Sequence, residues 1–260
     1  MRLDRLNSIE QYILQEGTVT WESLAAHFGV SVNTIRRDIK ELISRGTIRK
    51  VYGGVSSVNA NAPVAIQERQ VRNSEAKKLI GQMAAQFVES GQTIFLDSGT
   101  TTPCLIPHLA GLDNVTIVSH SLPVLYEASH YPSLQVIALG GSYNPTTGSY
   151  GGISTLNYLS RISVDIVFIA ATGVTLEHGL SHTAFFEAET KRKIAESGRK
   201  IVLMADHTKF GVASPITFMG FDRLSAIVTD RKPAPEFLAE ADRCGIRVLW
   251  SDEAVEEEDI

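Results

Sequence analysis

Along the first part of the chain, apolar residues return every three or four positions, the spacing that lines one face of a helix. Leu6, Ile9 and Ile13 predict a first helix over residues 4–15, closed by Gly17. Thr20 reads as the N-cap of a second, in which Leu24, Ala25 and Phe28 turn inward. A tight turn at Gly29-Val30 leads to Ser31, another cap, and then to "VNTIRRDIKELISR". Val32, Ile35, Ile39 and Leu42 form the buried stripe of that third helix. The run "GTIRKVYGG" reads as a small β wing closed by Gly53 and Gly54. Residues 59–73 lose strong periodicity and contain Pro63, so they read as a linker.

From Ser74 the pattern changes. "SEAKKLIGQMAAQFVESG" is a capped helix with Ala76, Ile80, Met83, Ala84 and Phe87 on one face. Apolar runs then recur as TIFLD, VTIVS, LQVIALGG, DIVFIAA, KIVLMAD, AIVTD and RVLW, most of them continuous rather than alternating. Continuous runs predict strands covered on both faces, as in a parallel sheet flanked by helices. Helical stretches such as "PVLYEASH" and "FFEAETKRKIAESG" separate several of them, so the fold class is α/β. The chain divides into a helical head with a wing over 1–58, a linker over 59–73, an α/β domain over 74–250 and an acidic tail over 251–260.

Charge adds a direction. The net charge of −5 over 260 residues argues against a chain that coats nucleic acid along its whole length. Residues 1–58 nevertheless hold eight Lys/Arg against six Asp/Glu, while the rest holds sixteen against twenty-three. That asymmetry suits a small nucleic-acid-facing head on an acidic body. Cys104 and Cys244 are too few for a disulfide framework, and the seven histidines lack metal-ligand spacing, so neither a metal nor a cofactor is expected. No apolar stretch approaches the length of a membrane span and the N-terminus lacks an apolar leader. A cytoplasmic protein without a membrane partner is expected.

The third helix carries the first candidate chemistry. Asn33, Arg36, Arg37 and Lys40 lie three or four apart on the face opposite the buried stripe. Such a face suits DNA, because Arg forks onto guanine, Asn onto adenine, and either cation reaches phosphate. Thr20, Ser31 and Thr34 at the helix starts, with Lys50 and Tyr52 on the wing, complete the expected DNA-binding set. The plainer alternative is a solvated charged face with pairs such as Arg37 and Glu41. The order helix, turn, helix, wing, linker favours the nucleic-acid reading.

"DSGTTT", from Asp97 to Thr102, is the second candidate. After the strand TIFL it is either a plain turn with a helix cap or a cradle in which Ser98, Thr100, Thr101 and Thr102 and nearby amides meet an anion. Gly99 would let the backbone approach closely. Ser119 to Ser121, Gly140-Gly141 and on to Asn144, and Ala171 to Gly173 lie after other strands and are candidate walls of the same crevice. Glu187 and Lys191, one helical turn apart, form either a surface ion pair or a functional pair in that crevice; Lys209 is a candidate point charge for phosphate.

"SVNTIRRDIKEL", "GTIRKVYGG", "KKLIGQMAAQFVESGQTIFLDSGTTT", "ATGV", "EAETKRK" and "ADHTKFG" together resemble the DeoR family of bacterial transcription regulators, over nearly all of the chain. The resemblance implies an N-terminal winged helix-turn-helix and a C-terminal sensor domain similar in fold to ribose-5-phosphate isomerase. It implies a repressor of a carbohydrate-catabolism operon, released by a phosphorylated sugar or related metabolite, with "DSGTTT" at the phosphate end of the pocket. One reading head per chain leads us to expect a homo-oligomer, a dimer or higher, on a duplex operator. The competing class is a sugar-phosphate isomerase-like enzyme using Asp97, Asp165, Glu187 or Asp206, which a DNA-reading head disfavours.

Overall fold

The computed structural model describes residues 2–44, 48–51, 53–57 and 65–251; Tyr52, residues 58–64 of the expected linker region and the tail beyond Ser251 lie outside the described residues. The head comprises α1 (Arg2–Glu16), β1 (Thr18–Thr20), α2 (Trp21–His27), α3 (Val32–Ser44), β2 (Ile48–Val51) and β3 (Gly54–Ser57). Leu6, Ile9, Ile13, Leu24, Ile35, Ile39 and Leu42 interlock in one buried cluster, as their spacing predicts. The wing is larger than the sequence suggests. The short β1 pairs antiparallel with β3 and completes a three-stranded sheet in the order β1-β3-β2, bringing Val19 and Val55 into the core.

One charge lies inside the head. Asp38 of α3 is fully buried, and its Oδ2 accepts from Arg5 of α1, Nε at 3.0 Å and Nη2 at 2.8 Å. The pair clamps α1 to α3. A carboxylate out of water needs such a partner to remain ionised.

The body begins earlier than expected. Within the supposed linker a helix, α4 (Ile66–Val71), precedes α5 (Ser74–Ala85). Then come β4 (Thr93–Leu96), a 3-10 helix (Thr102–Leu109), β5 (Thr116–Ser119), α6 (Leu122–Ala128) and β6 (Gln135–Ala138). A hairpin of β7 (Ser142–Asn144) and β8 (Ser149–Gly151) leads to α7 (Ile153–Leu159) and β9 (Val164–Ile169). Next are β10 (Gly173–Thr175), β11 (Gly179–His182), α8 (Phe185–Ser197), β12 (Gly198–Met204) and β13 (Ile216–Met219). The order ends with β14 (Ala226–Val228), α9 (Pro235–Arg243) and β15 (Arg247–Leu249).

All seven apolar runs are strands of one sheet, ordered β15-β14-β12-β9-β4-β5-β6, and every pairing in it is parallel. Separate apolar clusters cover its two faces, which is why most runs are continuous. β6 departs from that expectation: as the edge strand with β5 as its neighbour, it is exposed throughout, Val136 at 40% and Ile137 at 49%. The antiparallel sheet β10-β11-β13 also falls outside the sequence reading.

From β4 the chain builds outward through β5 to β6, then crosses back to β9 on the other side of β4 and continues to β15. The strand order reverses between β4 and β9. In a parallel sheet that reversal opens a crevice beyond the carboxyl ends of the two strands, because their connections leave in opposite directions.

Arg5→Ala should leave the body unchanged and loosen the head. Hydrogen exchange of the α3 amides should show a loss of about 1.5–3 kcal/mol, the range for hydrogen bonds to charged groups. Unchanged protection in α3 would show that the Asp38 clamp carries no stability.

Candidate functional site

Two regions gather the predicted residues. On the head, Asn33, Arg36, Arg37 and Lys40 of α3 are all exposed, while Ile35, Ile39 and Leu42 are buried. The Arg36 guanidinium lies 5.5 Å from the Trp21 ring centroid, so α2 braces one of these cations. Lys50 is exposed on the wing beside Arg49. The hydroxyls predicted to join them are engaged in capping. Thr20 Oγ1 accepts from the Ser23 amide at 3.1 Å, and Ser31 Oγ from the Thr34 amide at 3.2 Å, with Thr34 Oγ1 2.9 Å from Ser31 Oγ. Thr20, Ser31 and Thr34 thus set the two helix starts, and Asn33 with the cations forms the open polar face.

The second region is the crevice between β4 and β9. Asp97, the residue after β4, is fully buried; its Oδ2 accepts the Ala170 amide at 3.1 Å and pairs with Lys191 of α8. Lys191 also donates to the Ala170 carbonyl at 3.1 Å. Glu187, one turn earlier, accepts from Ser98 at 2.8 Å and from Ser149 of β8 at 2.6 Å. The surface-pair alternative for Glu187 and Lys191 therefore fails: both are buried, at 8% and 2% exposure, and each faces a different partner.

Burial pushes the Glu187 carboxyl up, but His120 and Lys191 nearby and the Ser149 and Ser98 hydroxyls outweigh it and bring the pKa down to about 2. Burial, with Lys191 adding to it, lowers His182 to about 4, so its ring is neutral; its Nδ1 accepts the Ala184 amide at 3.0 Å. His120, after β5, is also held neutral by burial. Its two ring nitrogens and the Ser121 hydroxyl are buried without a hydrogen-bond partner. Buried polar groups are nearly always paired, so these mark a place where a polar ligand would satisfy them.

The "DSGTTT" loop divides its labour. Thr102 Oγ1 donates to the Asp97 carbonyl at 2.6 Å and the Gly99 carbonyl at 3.0 Å, closing the loop, and Ser98 serves Glu187. Among the described residues, the Thr100 and Thr101 hydroxyls and the amides of Ser98, Gly99, Thr100 and Thr101 find no protein partner. Successive unpaired amides of this kind favour an anion. Gly99 has a second reason to be glycine: a Cβ there would lie 2.3 Å from that of Ala170.

Several predicted walls serve the framework instead. Ser119 Oγ donates to the Leu96 carbonyl at 2.6 Å and accepts the Ser121 amide at 3.0 Å, tying β5 to β4. The Gly140 carbonyl accepts from Thr155 at 2.7 Å, and Gly141, at φ +149°, lies so close to β8 that a Cβ would meet the Gly151 carbonyl at 2.4 Å. Gly173 admits the Val212 carbonyl, 2.2 Å from where its Cβ would be. Lys209 lies 3.7 Å from Asp206 and 3.0 Å from Thr208, in the turn after β12. Of the four acids weighed for catalysis, Asp165 accepts the Thr93 amide at 2.9 Å and Asp206 caps Thr208, leaving Asp97 and Glu187 together. Ser149 and His182 escape the reading of the sequence, and His120 and Ser121 entered it only within the run Ser119 to Ser121 after a strand.

The ionised Glu187 makes a pH test. Its carboxyl titrates near about 2 in the fold against an ordinary 4.5, so its stabilising contribution is present above 4.5 and is lost as pH falls toward 2. Glu187→Gln should be less stable than wild type by about 3 kcal/mol at neutral pH, and the gap should close on acidification toward pH 2. Denaturant unfolding across that range checks it; a gap independent of pH would show that Glu187 is not held ionised.

Two family models match: the DeoR-like helix-turn-helix domain over residues 5–61 and the DeoR C-terminal sensor domain over residues 72–231. The chain is 38% identical over 237 residues to the HTH-type transcriptional regulator IolR of Bacillus subtilis (strain 168), covering 91% of this chain and 94% of that protein. It is 30% identical over 229 residues to the glycerol-3-phosphate regulon repressor of Escherichia coli (strain K12), covering 88% and 91%. Among solved structures, ribose 5-phosphate isomerase A from Methanocaldococcus jannaschii matches at a TM-score of 0.39 and 19% identity, over 53% of this chain and 55% of that one. The two family models and the Bacillus subtilis relative show that the chain belongs to the DeoR family of helix-turn-helix transcriptional regulators.

Proposed function

We propose that the protein is a repressor of a carbohydrate-catabolism operon, acting in the cytoplasm as a homo-oligomer. Its paired heads hold a two-fold operator through Asn33, Arg36, Arg37, Lys40, Lys50 and Tyr52. A phosphorylated sugar or polyol in the crevice between β4 and β9 releases it.

The observation that carries the ligand class is the pairing of two unlike ends. One end offers the buried carboxylates of Asp97 and Glu187 with the unpartnered His120 and Ser121, groups that hydrogen-bond hydroxyls. The other offers the unpaired amides and hydroxyls of Ser98–Thr101, which suit a phosphate. A polyol phosphate is hydroxyl-rich at one end and dianionic at the other. The Escherichia coli relative's name points to a regulon of one such molecule, glycerol 3-phosphate.

Two measurements test this. The double variant Arg36→Ala, Arg37→Ala should lose about 1–3 kcal/mol of operator affinity per direct base contact and blur sequence preference at fixed salt. Specific binding undiminished in that variant would overturn the assignment of α3. Titrating operator complexes with sugar phosphates, glycerol 3-phosphate and their unphosphorylated parents should show release by phosphorylated compounds alone. Equal release by the parents would overturn the phosphate cradle.

A further inference from the structure

One edge of the seven-stranded sheet is guarded and the other is not. β15, at one end, is partly covered, and its Arg247 guanidinium lies 5.3 Å from the Phe87 ring centroid. A charge on an edge strand discourages further strands from pairing with it. β6, at the other end, is exposed at all four residues and reads Gln-Val-Ile-Ala. Residues 131–160 contain no Asp, Glu, Lys, Arg or His, in a chain that is 20% charged. That uncharged stretch holds β6, the β7–β8 hairpin and α7.

The backbone of this edge is open as well. The Gln135 and Leu139 amides donate to the Val115 and Ser119 carbonyls at 2.9 and 2.8 Å. The alternation of a parallel ladder therefore turns Ile137 toward β5 with them, and Val136 and Ala138 outward. Among the described residues no strand pairs with that outer side. The two faces beside it are apolar. Val136 is in register with Ile117, on the face covered by Val124 and Ala128 of α6. Ile137 is in register with Val118, on the face covered by Leu159 of α7. α6 leaves Tyr126 exposed. α7 is tied to the end of β6 by Thr155, which donates to the Gly140 carbonyl at 2.7 Å, and it leaves Ile153 79% and Tyr158 60% exposed.

We propose that β6 is the interface between two copies of this chain, joined antiparallel about a two-fold axis at Ile137 so that their sheets become one. A two-fold axis beside an edge strand sets that strand antiparallel against itself. About Ile137, the outward-facing Val136 and Ala138 map onto each other, so each exchanges backbone hydrogen bonds with the other's image. An isologous contact also sets each side chain near its own copy, where a charge would meet a like charge. The uncharged stretch satisfies that demand, and it favours a second copy over a partner of opposite charge. The proposal rests on the homo-oligomer reading given above and assigns it a surface. Pairing through the bodies brings two heads to one operator.

The full-length protein tests this by light scattering, operator binding and non-reducing electrophoresis. Ile137→Asp, which sets two carboxylates at the axis, should halve the mass measured for wild type at equal concentration and leave the circular dichroism unchanged. Its operator affinity should fall by about 10²- to 10⁴-fold, the gain that linking two binding modules gives. In a background carrying Cys104→Ser and Cys244→Ser, Ile137→Cys should form a disulfide-linked pair on mild oxidation. The two Ile137 residues face each other as a non-hydrogen-bonded antiparallel pair, with Cα atoms about 4.5 Å apart, which a disulfide spans. Glu236→Cys, exposed on α9, should not cross-link in that background. Should Ile137→Asp fail to fold, the cross-link decides. Given an oligomeric wild type, a folded Ile137→Asp variant of unchanged mass, or no cross-link through Ile137→Cys, would overturn this proposal alone. A monomeric wild type would overturn the homo-oligomer reading and this proposal with it.

Discussion

The body depends on one buried charge pair, Lys191 with Asp97, whose side chains are 2% and 0% exposed. Taking two charges out of water costs several kcal/mol per ion, and attraction recovers that only where hydrogen bonds complete the geometry. Ala170 supplies them, its amide donating to Asp97 and its carbonyl accepting from Lys191. Because Asp97 follows β4, Ala170 follows β9 and Lys191 belongs to α8, the pair joins three elements at the point where the strand order reverses. Ser98 and Glu187 are neighbours of the pair on those same elements, and they close on each other there. A crevice that most parallel sheets leave open is here a shaped polar site.

In the proposed account, that fixed frame is what makes occupancy informative. Asp97, Lys191 and Glu187 hold their places through partners of the body itself, so a ligand meets a prepared site. α4 differs: its seat is Ile66 in the gap at Gly148 and the Arg69 and Arg72 carbonyls on Lys77, a lysine whose pKa burial has lowered to about 8.

Much of the framework was legible because it rests on short-range pattern. The three-to-four spacing of Leu6, Ile9, Ile13, Ile35, Ile39 and Leu42 predicted the head core, and each continuous apolar run proved to be a strand. Asn33, Arg36, Arg37 and Lys40 followed from the same geometry read on the opposite face. What stayed hidden depends on contacts far apart in the chain. Nothing near Glu187 says that it meets Ser98 and Ser149 rather than Lys191. Pro63 and polar residues disguised α4, a helix whose formation owes more to Lys77 and Gly148 than to its own periodicity. Gly140, Gly141 and Gly173 read as candidate walls of the crevice, yet backbone crowding accounts for Gly141 and Gly173, and glycine alone does not distinguish the two causes.

The account's central claim is that the crevice and the reading head share one coupling free energy, and calorimetry measures it directly. A sugar phosphate that releases the operator is titrated into the free protein and, separately, into the protein saturated with operator. The account predicts that the ligand binds the complex more weakly, by the same factor by which the ligand weakens operator binding. Equal ligand affinity on and off the operator would contradict it.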